Sequence, residues 1–294
     1  MKVLIIGGDS FIASRFMIDY SLNYEIISFS RKEIKHKNNK VLKDFFSIKE
    51  SDFRGFDVVI NFAAIVHNPK GAKPEHYYRI NHELAVRNAG LAKEAGVKHF
   101  IQLSTIAVYG EVQNIGITTA ELPVNDYGRS KLMADNELLK MQDKHFYVTI
   151  VRPSMVYGGG AAPGNMLKLI SYVKRGIPLP FKNVQNHRQF LNIHTLNGFL
   201  DYSINKHLRG IFILADKEGI STSALISLIS RKIQVKDRQF KIPKIALSLL
   251  KKMRPTIYNK LFGNLFIDIT NIEALALYKS DWDIENGVEE MIRN

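Results

Sequence analysis

Five apolar, β-rich runs recur along the first half of the chain, at Val3 to Ile6, Glu25 to Phe29, Val58 to Phe62, Phe100 to Leu103 and Val148 to Val151, with helix-like stretches between them. The runs are continuous rather than alternating, which suits strands buried on both faces of a parallel sheet. Strands that alternate with helices predict a doubly wound α/β domain. Helices are predicted near Ile12 to Leu22, Tyr77 to Ala95 and Tyr127 to Gln142, the second closed by Gly96. After Tyr157 the texture changes. Gly158-Gly159-Gly160-Ala161-Ala162-Pro163-Gly164 reads as a flexible junction, and Pro178, Pro180 and Pro243 punctuate short helices beyond it. The predicted organisation is a first domain over 1–160, to which 187–215 returns, and a smaller α/β domain over the rest of 161–294.

Composition narrows the setting. The 294 residues are 46% hydrophobic and 23% charged, the balance of a soluble globular protein. The absence of cysteine excludes disulfides, thiolate metal sites and a cysteine nucleophile, and suits a reducing cytoplasm. The apolar run at the start is too short for a secretory signal, and no uncharged run approaches the roughly 18 to 20 residues that span a bilayer. The net charge of +13 is uneven: ten Lys or Arg lie between Arg231 and Lys260 against one acid, Asp237. Such a segment is either a solvated face or an attractor of anionic surfaces.

Where the first strand meets the first helix the sequence reads Gly7-x-x-Ser10-x-x-Ala13. A strand, a glycine turn and a helix start aim backbone N–H groups and the positive helix end at a pyrophosphate, as in a Rossmann-type dinucleotide site. Two of the three usual glycines are replaced, so an ordinary turn stays open as a reading. Gly7, Ser10, Phe11 and Ile12 are the candidate contacts. The end of the second strand reads Ser28-Phe29-Ser30-Arg31-Lys32, with cations and no acid until Glu33. An acid there would bond a ribose 2′-hydroxyl, whereas cations suit a 2′-phosphate. NADP(H) is therefore preferred over NAD(H), with Arg31 as the bidentate partner and Ser30 or Lys32 assisting.

Tyr127-Gly128-Arg129-Ser130-Lys131 sets a lysine one helical turn after a tyrosine. A phenol of pKa about 10 is a weak base at neutral pH unless positive charge lies nearby. The Lys131 ammonium would lower it and could also hold ribose hydroxyls. The strand Phe100 to Leu103 ends in Ser104-Thr105-Ile106-Ala107-Val108-Tyr109-Gly110, which puts hydroxyls at the carboxyl edge of the sheet, where ligands bind in this architecture. Thr105 could hydrogen-bond the reacting oxygen; Ser104 reads as structural.

With these pieces go Asp57-Val58-Val59-Ile60-Asn61-Phe62-Ala63-Ala64, Asn81, Ala95 to Phe100 and Arg152-Pro153-Ser154-Met155-Val156-Tyr157-Gly158, in that order. From Val3 to about Val288 the chain resembles the extended short-chain dehydrogenase/reductase family, specifically its nucleotide-sugar epimerases, dehydratases and reductases. The resemblance implies that Thr105, Tyr127 and Lys131 are the catalytic triad. It implies that Asp44 bonds the adenine amine, that Phe62, Ala63 and Ala64 line the cofactor, and that Pro153 lies by the nicotinamide. Leu179-Pro180-Phe181 followed by Asn186 to Ile193 resembles the family's substrate segment, which makes Arg188 the diphosphate clamp and adds His67 as a sugar contact.

The resemblance is strongest to bacterial surface-polysaccharide enzymes that act at C4 of UDP-linked N-acetylhexosamines. Ile106 and Ala107 cannot supply the extra acid/base pair of a 4,6-dehydratase. The substituted glycine loop and cationic Ser30-Arg31-Lys32 favour an exchangeable cofactor, hence reduction of a UDP-4-keto-6-deoxy-N-acetylhexosamine. The alternatives are a UDP-hexose or UDP-N-acetylhexosamine 4-epimerase and a non-catalytic dinucleotide sensor or scaffold. The histidines lack metal-ligand spacing with acids, so no metal is assigned. No nucleic-acid module accompanies the basic segment. Apolar Ile245, Leu247, Leu249 and Leu250 among its cations suggest peripheral membrane contact through 231–260, and helix packing between subunits leaves a homodimer open.

Overall fold

In the computed structural model, which describes residues 1–66, 73–160, 162–273 and 282–293, the predicted runs become β1 (Lys2–Ile6), β2 (Glu25–Ser30), β4 (Val58–Asn61), β5 (His99–Leu103) and β7 (Tyr147–Pro153). Short strands β3 (Asn39–Val41), β6 (Asn114–Ile115), β8 (Val156–Tyr157), β9 (Leu191–Asn192), β10 (Gly210–Leu214) and β11 (Phe266–Ile267) complete the set. The helices are α1 (Phe11–Tyr20), α2 (Pro74–Tyr77), α3 (Leu84–Glu94), α4 (Asp126–Met141), α5 (Asn165–Lys174) and α6 (Ile193–Lys206). They continue with α7 (Thr222–Ile233), α8 (Lys244–Met253), α9 (Pro255–Phe262), α10 (Thr270–Glu273) and α11 (Ile284–Arg293). Between α2 and α3 the backbone widens into a π-helical stretch, Tyr78–Glu83, so the single predicted helix is three joined pieces.

The chain divides into two compact units, Met1–Gly110 with Ala120–Pro153 and Asn197–Ile213, and Glu111–Thr119 with Ser154–Leu196 and Leu214–Asn294. The return to the first unit is thus shorter than the stretch 187–215 read from the sequence, and a second excursion at 111–119 had no sequence signal.

In the first unit the sheet order is β10-β7-β5-β4-β1-β2-β3, and β1, β2, β3, β4, β5 and β7 pair in parallel. This is the Rossmann-type doubly wound α/β fold that the strand pattern predicts. Chain order reverses at β1, so β1 and β4 flank the switch point, beyond whose carboxyl ends such sheets bind ligands. Leu4, Ile6, Val59, Phe100, Val148 and Ile150 are wholly buried, which explains why the strand runs do not alternate. Ala85, Ala89 and Ala92 of α3 and Ala134 of α4 join that core, small residues that let a helix lie close to the sheet. The returning segment is fastened by polar contacts: Asn197 Nδ2 donates to Asp19 Oδ2 at 2.7 Å, and the Thr149 hydroxyl donates to the Leu208 carbonyl.

The second unit holds two parallel strand pairs, β6 with β11 and β8 with β9. Helix α7 buries Leu225, Ile226, Leu228 and Ile229, and α11 buries Val288 and Met291. Lys232 of α7 pairs with Glu285 and Glu289 of α11 at 2.9 and 2.8 Å. Helices α8 and α9 bury no residue.

Candidate functional site

Thr105 and Tyr127 are brought together where β5 ends and α4 begins. Thr105 caps a 3₁₀ turn, Ile106–Tyr109, its Oγ1 accepting from Ala107 N at 3.1 Å. Asn125 caps α4 in the same manner, accepting from Gly128 N at 2.8 Å. Gly128 is a contact requirement: a Cβ there would sit 2.6 Å from the Ala107 carbonyl oxygen, so only glycine lets the first turn of α4 lie against that 3₁₀ turn. The Tyr127 phenol, partly buried, interacts with the Thr105 hydroxyl. One turn on, buried Lys131 donates from Nζ to the Leu103 carbonyl at 2.6 Å.

Electrostatics differ from the sequence expectation. Burial pushes the Tyr127 phenol up to about 12, the interaction with Thr105 opposing and the charge of Asp135 adding to it. Burial also lowers Lys131 to about 8. The lysine alone does not activate the phenol, because its ammonium is tethered to Leu103 and itself disfavoured by desolvation. An additional positive charge is needed to bring Tyr127 into range.

Asp135 has no place in the sequence reading, although Ser104, read there as structural, is one of its partners. The carboxylate lies one further turn along α4, fully buried, and its Oδ2 accepts from Ser104 Oγ at 2.7 Å and from Arg152 Nε at 3.0 Å. Arg152 Nη1 also donates to the Tyr109 hydroxyl at 2.9 Å and to Glu121. Burial still outweighs the guanidinium and raises Asp135 to about 6. The signal was available: an acid at i+4 from Lys131 on an inward helix face demands a cation, and Arg152 on an apolar strand demands an acid. Asn81 was noted without a role. It clamps the segment after β4, accepting from Ile65 N at 2.7 Å and donating to Ile65 O and to Ser130 Oγ of α4.

The glycine turn fits a dinucleotide. Gly7 has φ +88°, and a Cβ on it would lie 2.7 Å from Ala63 N, so the turn nests against the end of β4 with Phe62 and Ala63 buried beside it and Ala64 partly buried. Ser10 caps α1, accepting from Ala13 N at 3.2 Å, which leaves Phe11 and Ile12 in the first helical turn, partly exposed. Two expected phosphate partners are otherwise engaged. Ser30 is buried and donates to Lys32 O at 2.5 Å, with Asn39 Oδ1 3.0 Å away, and Arg31 lies 3.7 Å from Asp9, an acid inside the glycine loop itself. Asp44 is exposed and accepts from Phe46 N at 2.9 Å; Pro153 is buried at the end of β7. His67 lies outside the described residues.

In the second unit, Arg188 is held by its backbone to Ile220 and by Nη1, which donates to Gly263 O at 3.1 Å and Asn259 O at 3.5 Å. Its guanidinium thus closes the carboxyl end of α9, with other N–H groups left over for a ligand. The adjacent residue, His187, stacks on Phe266 at 4.4 Å between ring centroids and lines an open cleft of about 610 Å³ together with Gln189, Lys217 and Thr118. Among the described residues there is no cluster of acids and histidines that could hold a metal ion.

Residues 3–196 match the NAD dependent epimerase/dehydratase family. The chain is 28% identical to a UDP-glucose 4-epimerase of Vibrio cholerae, covering 98% of this chain and 94% of that one. It is 24% identical to the N-acetyl-alpha-D-glucosaminyl-diphospho-ditrans,octacis-undecaprenol 4-epimerase of Escherichia coli O157:H7, over 82% and 75%. In fold it is similar to a UDP-N-acetylglucosamine 4-epimerase from Methanobrevibacter ruminantium M1, with a TM-score of 0.82 at 20% identity over 99% and 97% of the two chains. With the dinucleotide turn and the tyrosine–lysine helix already in place, the chain is an enzyme belonging to the NAD dependent epimerase/dehydratase family.

Proposed function

We propose that the enzyme inverts C4 of a UDP-linked hexose or N-acetylhexosamine and keeps NAD bound throughout. The observation that carries this reading is the meeting of Thr105 and Tyr127 at the carboxyl edge of the same sheet whose glycine turn fits a dinucleotide. Thr105 orients the sugar 4-hydroxyl, Tyr127 takes its proton and gives it back to the 4-keto oxygen once the sugar has turned its opposite face toward the hydride that would return to C4, and Lys131 holds ribose hydroxyls. When bound, oxidised nicotinamide supplies a positive charge and a place for the C4 hydride. That charge is what brings the phenol down from about 12. Gly7, Ser10, Phe11, Ile12, Phe62, Ala63, Ala64, Asp44 and Pro153 surround the cofactor in this reading, and the His187–Phe266 cleft with Arg188 takes the nucleotide diphosphate.

The substituted glycine loop and the cationic Ser30-Arg31-Lys32 favour 4-ketoreduction with an exchangeable NADP(H) on sequence grounds, but Arg31 is not free in the fold. Its neighbour Asp9 would oppose a 2′-phosphate, and a retained NAD suits an epimerase. The named activities of the V. cholerae and E. coli relatives support the same choice. The latter's substrate also supports a second reading, a lipid diphosphate in place of uridine, which the exposed apolar faces of α8 and α9 favour. Incubation with UDP-GlcNAc or UDP-glucose should yield the C4 epimer without added cofactor and without net change in nicotinamide absorbance. Stoichiometric NADPH consumption with a UDP-4-keto-6-deoxy-hexosamine, with no epimer formed, would restore the reductase.

A further inference from the structure

The basic segment splits in two. Arg231 and Lys232 end α7 and face the carboxylates of α11, whereas from Arg238 to Ile267 there is no Asp or Glu at all. Across that acid-free stretch, α8 exposes Ile245, Leu249 and Met253 at 84%, 55% and 68%, a continuous i, i+4, i+8 stripe. Helix α9 repeats the pattern with Ile257 and Leu261, both more than 40% exposed. Leu247 and Leu250, on the other side of α8, are partly buried, so the helix is oriented and its apolar stripe is left facing outward. Among the described residues no carboxylate pairs with Lys244, Lys251, Lys252, Arg254 or Lys260.

We propose that α8 and α9 form a docking surface for an anionic lipid bilayer. An apolar stripe bordered by lysines that no carboxylate neutralises is what an interfacial helix needs, since the stripe enters the acyl boundary while the cations meet the headgroups. At ten residues α8 is about 15 Å long, half the bilayer core, so it lies in the membrane plane. Among the described residues no helix is long and apolar enough to cross a membrane. Charge complementarity selects lipid over other occupants. A second copy would set these cations against themselves, and protein interfaces are depleted in lysine. The Arg188 bonds to the end of α9 fasten the surface to the proposed diphosphate segment within the same unit. Docking goes beyond the epimerase reading and stands whichever sugar the enzyme takes.

The test is flotation of the full chain with vesicles of equal parts phosphatidylcholine and phosphatidylglycerol, and with phosphatidylcholine alone, at low and high salt. The protein should float with the anionic vesicles, less so at high salt, and little with the neutral ones. Leu249→Glu, and separately Lys251→Glu with Lys252→Glu, should each lower partitioning about tenfold or more, each cation contributing about fivefold. Both variants should keep the wild-type circular dichroism spectrum and turnover of a soluble UDP-sugar. Failure to float at low salt overturns the proposal, as does flotation of both variants equal to that of the wild type. Self-association that Leu249→Glu abolishes, without flotation of the wild type, overturns it in favour of a second copy.

Discussion

Helix α4 carries Tyr127, Lys131 and Asp135 at successive i, i+4 positions, with Lys131 and Asp135 buried; helix α8 carries Ile245, Leu249 and Met253 at the same spacing, all exposed. Both invert the usual placement of polar and apolar side chains. The cost differs. Buried charges must be matched one by one, which is why Asp135 meets Ser104 and Arg152, and Arg152 in turn meets Tyr109 and Glu121. An exposed apolar stripe needs no partner to fold and acquires meaning only in company. Stability in α4 and function in α4 are therefore inseparable, whereas α8 can be altered without touching the fold.

The largest effect belongs to Tyr127→Phe, expected to lower turnover by about 10²- to 10⁴-fold while NAD binding by calorimetry is unchanged. Residual activity within tenfold of wild type would remove Tyr127 from the acid/base role. Asp135→Ala should destabilise the first unit by about 3 to 5 kcal/mol in a urea titration, because it strands the buried Arg152; a loss below about 1 kcal/mol would mean the pair carries little.

A third buried titrating group extends the rule to pH. His99 on β5 is fully buried against Thr149 Oγ1 at 2.8 Å, and burial lowers its pKa to about 3. The unfolded chain takes that proton below about 6.5, so this group's contribution is present above that pH and lost as pH falls toward 3. Asp135 and Asp216, both raised by burial, act in the opposite sense, so the variant His99→Gln isolates the histidine. The stability of wild type relative to this variant should fall by about 3 kcal/mol between pH 7 and pH 4. A difference independent of pH would show that His99 titrates normally. At the small end, Leu249→Glu should change unfolding free energy by no more than about 0.5 kcal/mol. A larger loss would place that side chain in a packed core.

The sheet was legible because residues such as Val3 to Ile6 and Val58 to Ile60 are apolar at every position, a pattern only doubly covered strands need. Gly7 and Lys131 were legible as parts of spaced motifs. What stayed hidden depends on contacts between distant segments. Arg31 looked like a free cation because Asp9, twenty-two positions earlier, reaches it only through the fold. The tyrosine looked activated because spacing shows that Lys131 is near but not that the Leu103 carbonyl restrains it. The widened turn at Tyr78–Glu83 leaves no trace in periodicity, and with it went the role of Asn81.

That asparagine has a mechanical consequence. Its three bonds join the Ile65 backbone to Ser130, so the wall beside the glycine turn and the first turns of α4 are stitched into one piece. Under native conditions the amide protons of Ile65 and of the α4 residues after Ser130 should exchange with deuterium through a common opening, and Asn81→Ala should uncouple their rates. Loosening of the wall beside the glycine turn would then register as loosening of α4, without Thr105, Tyr127 or Lys131 having changed.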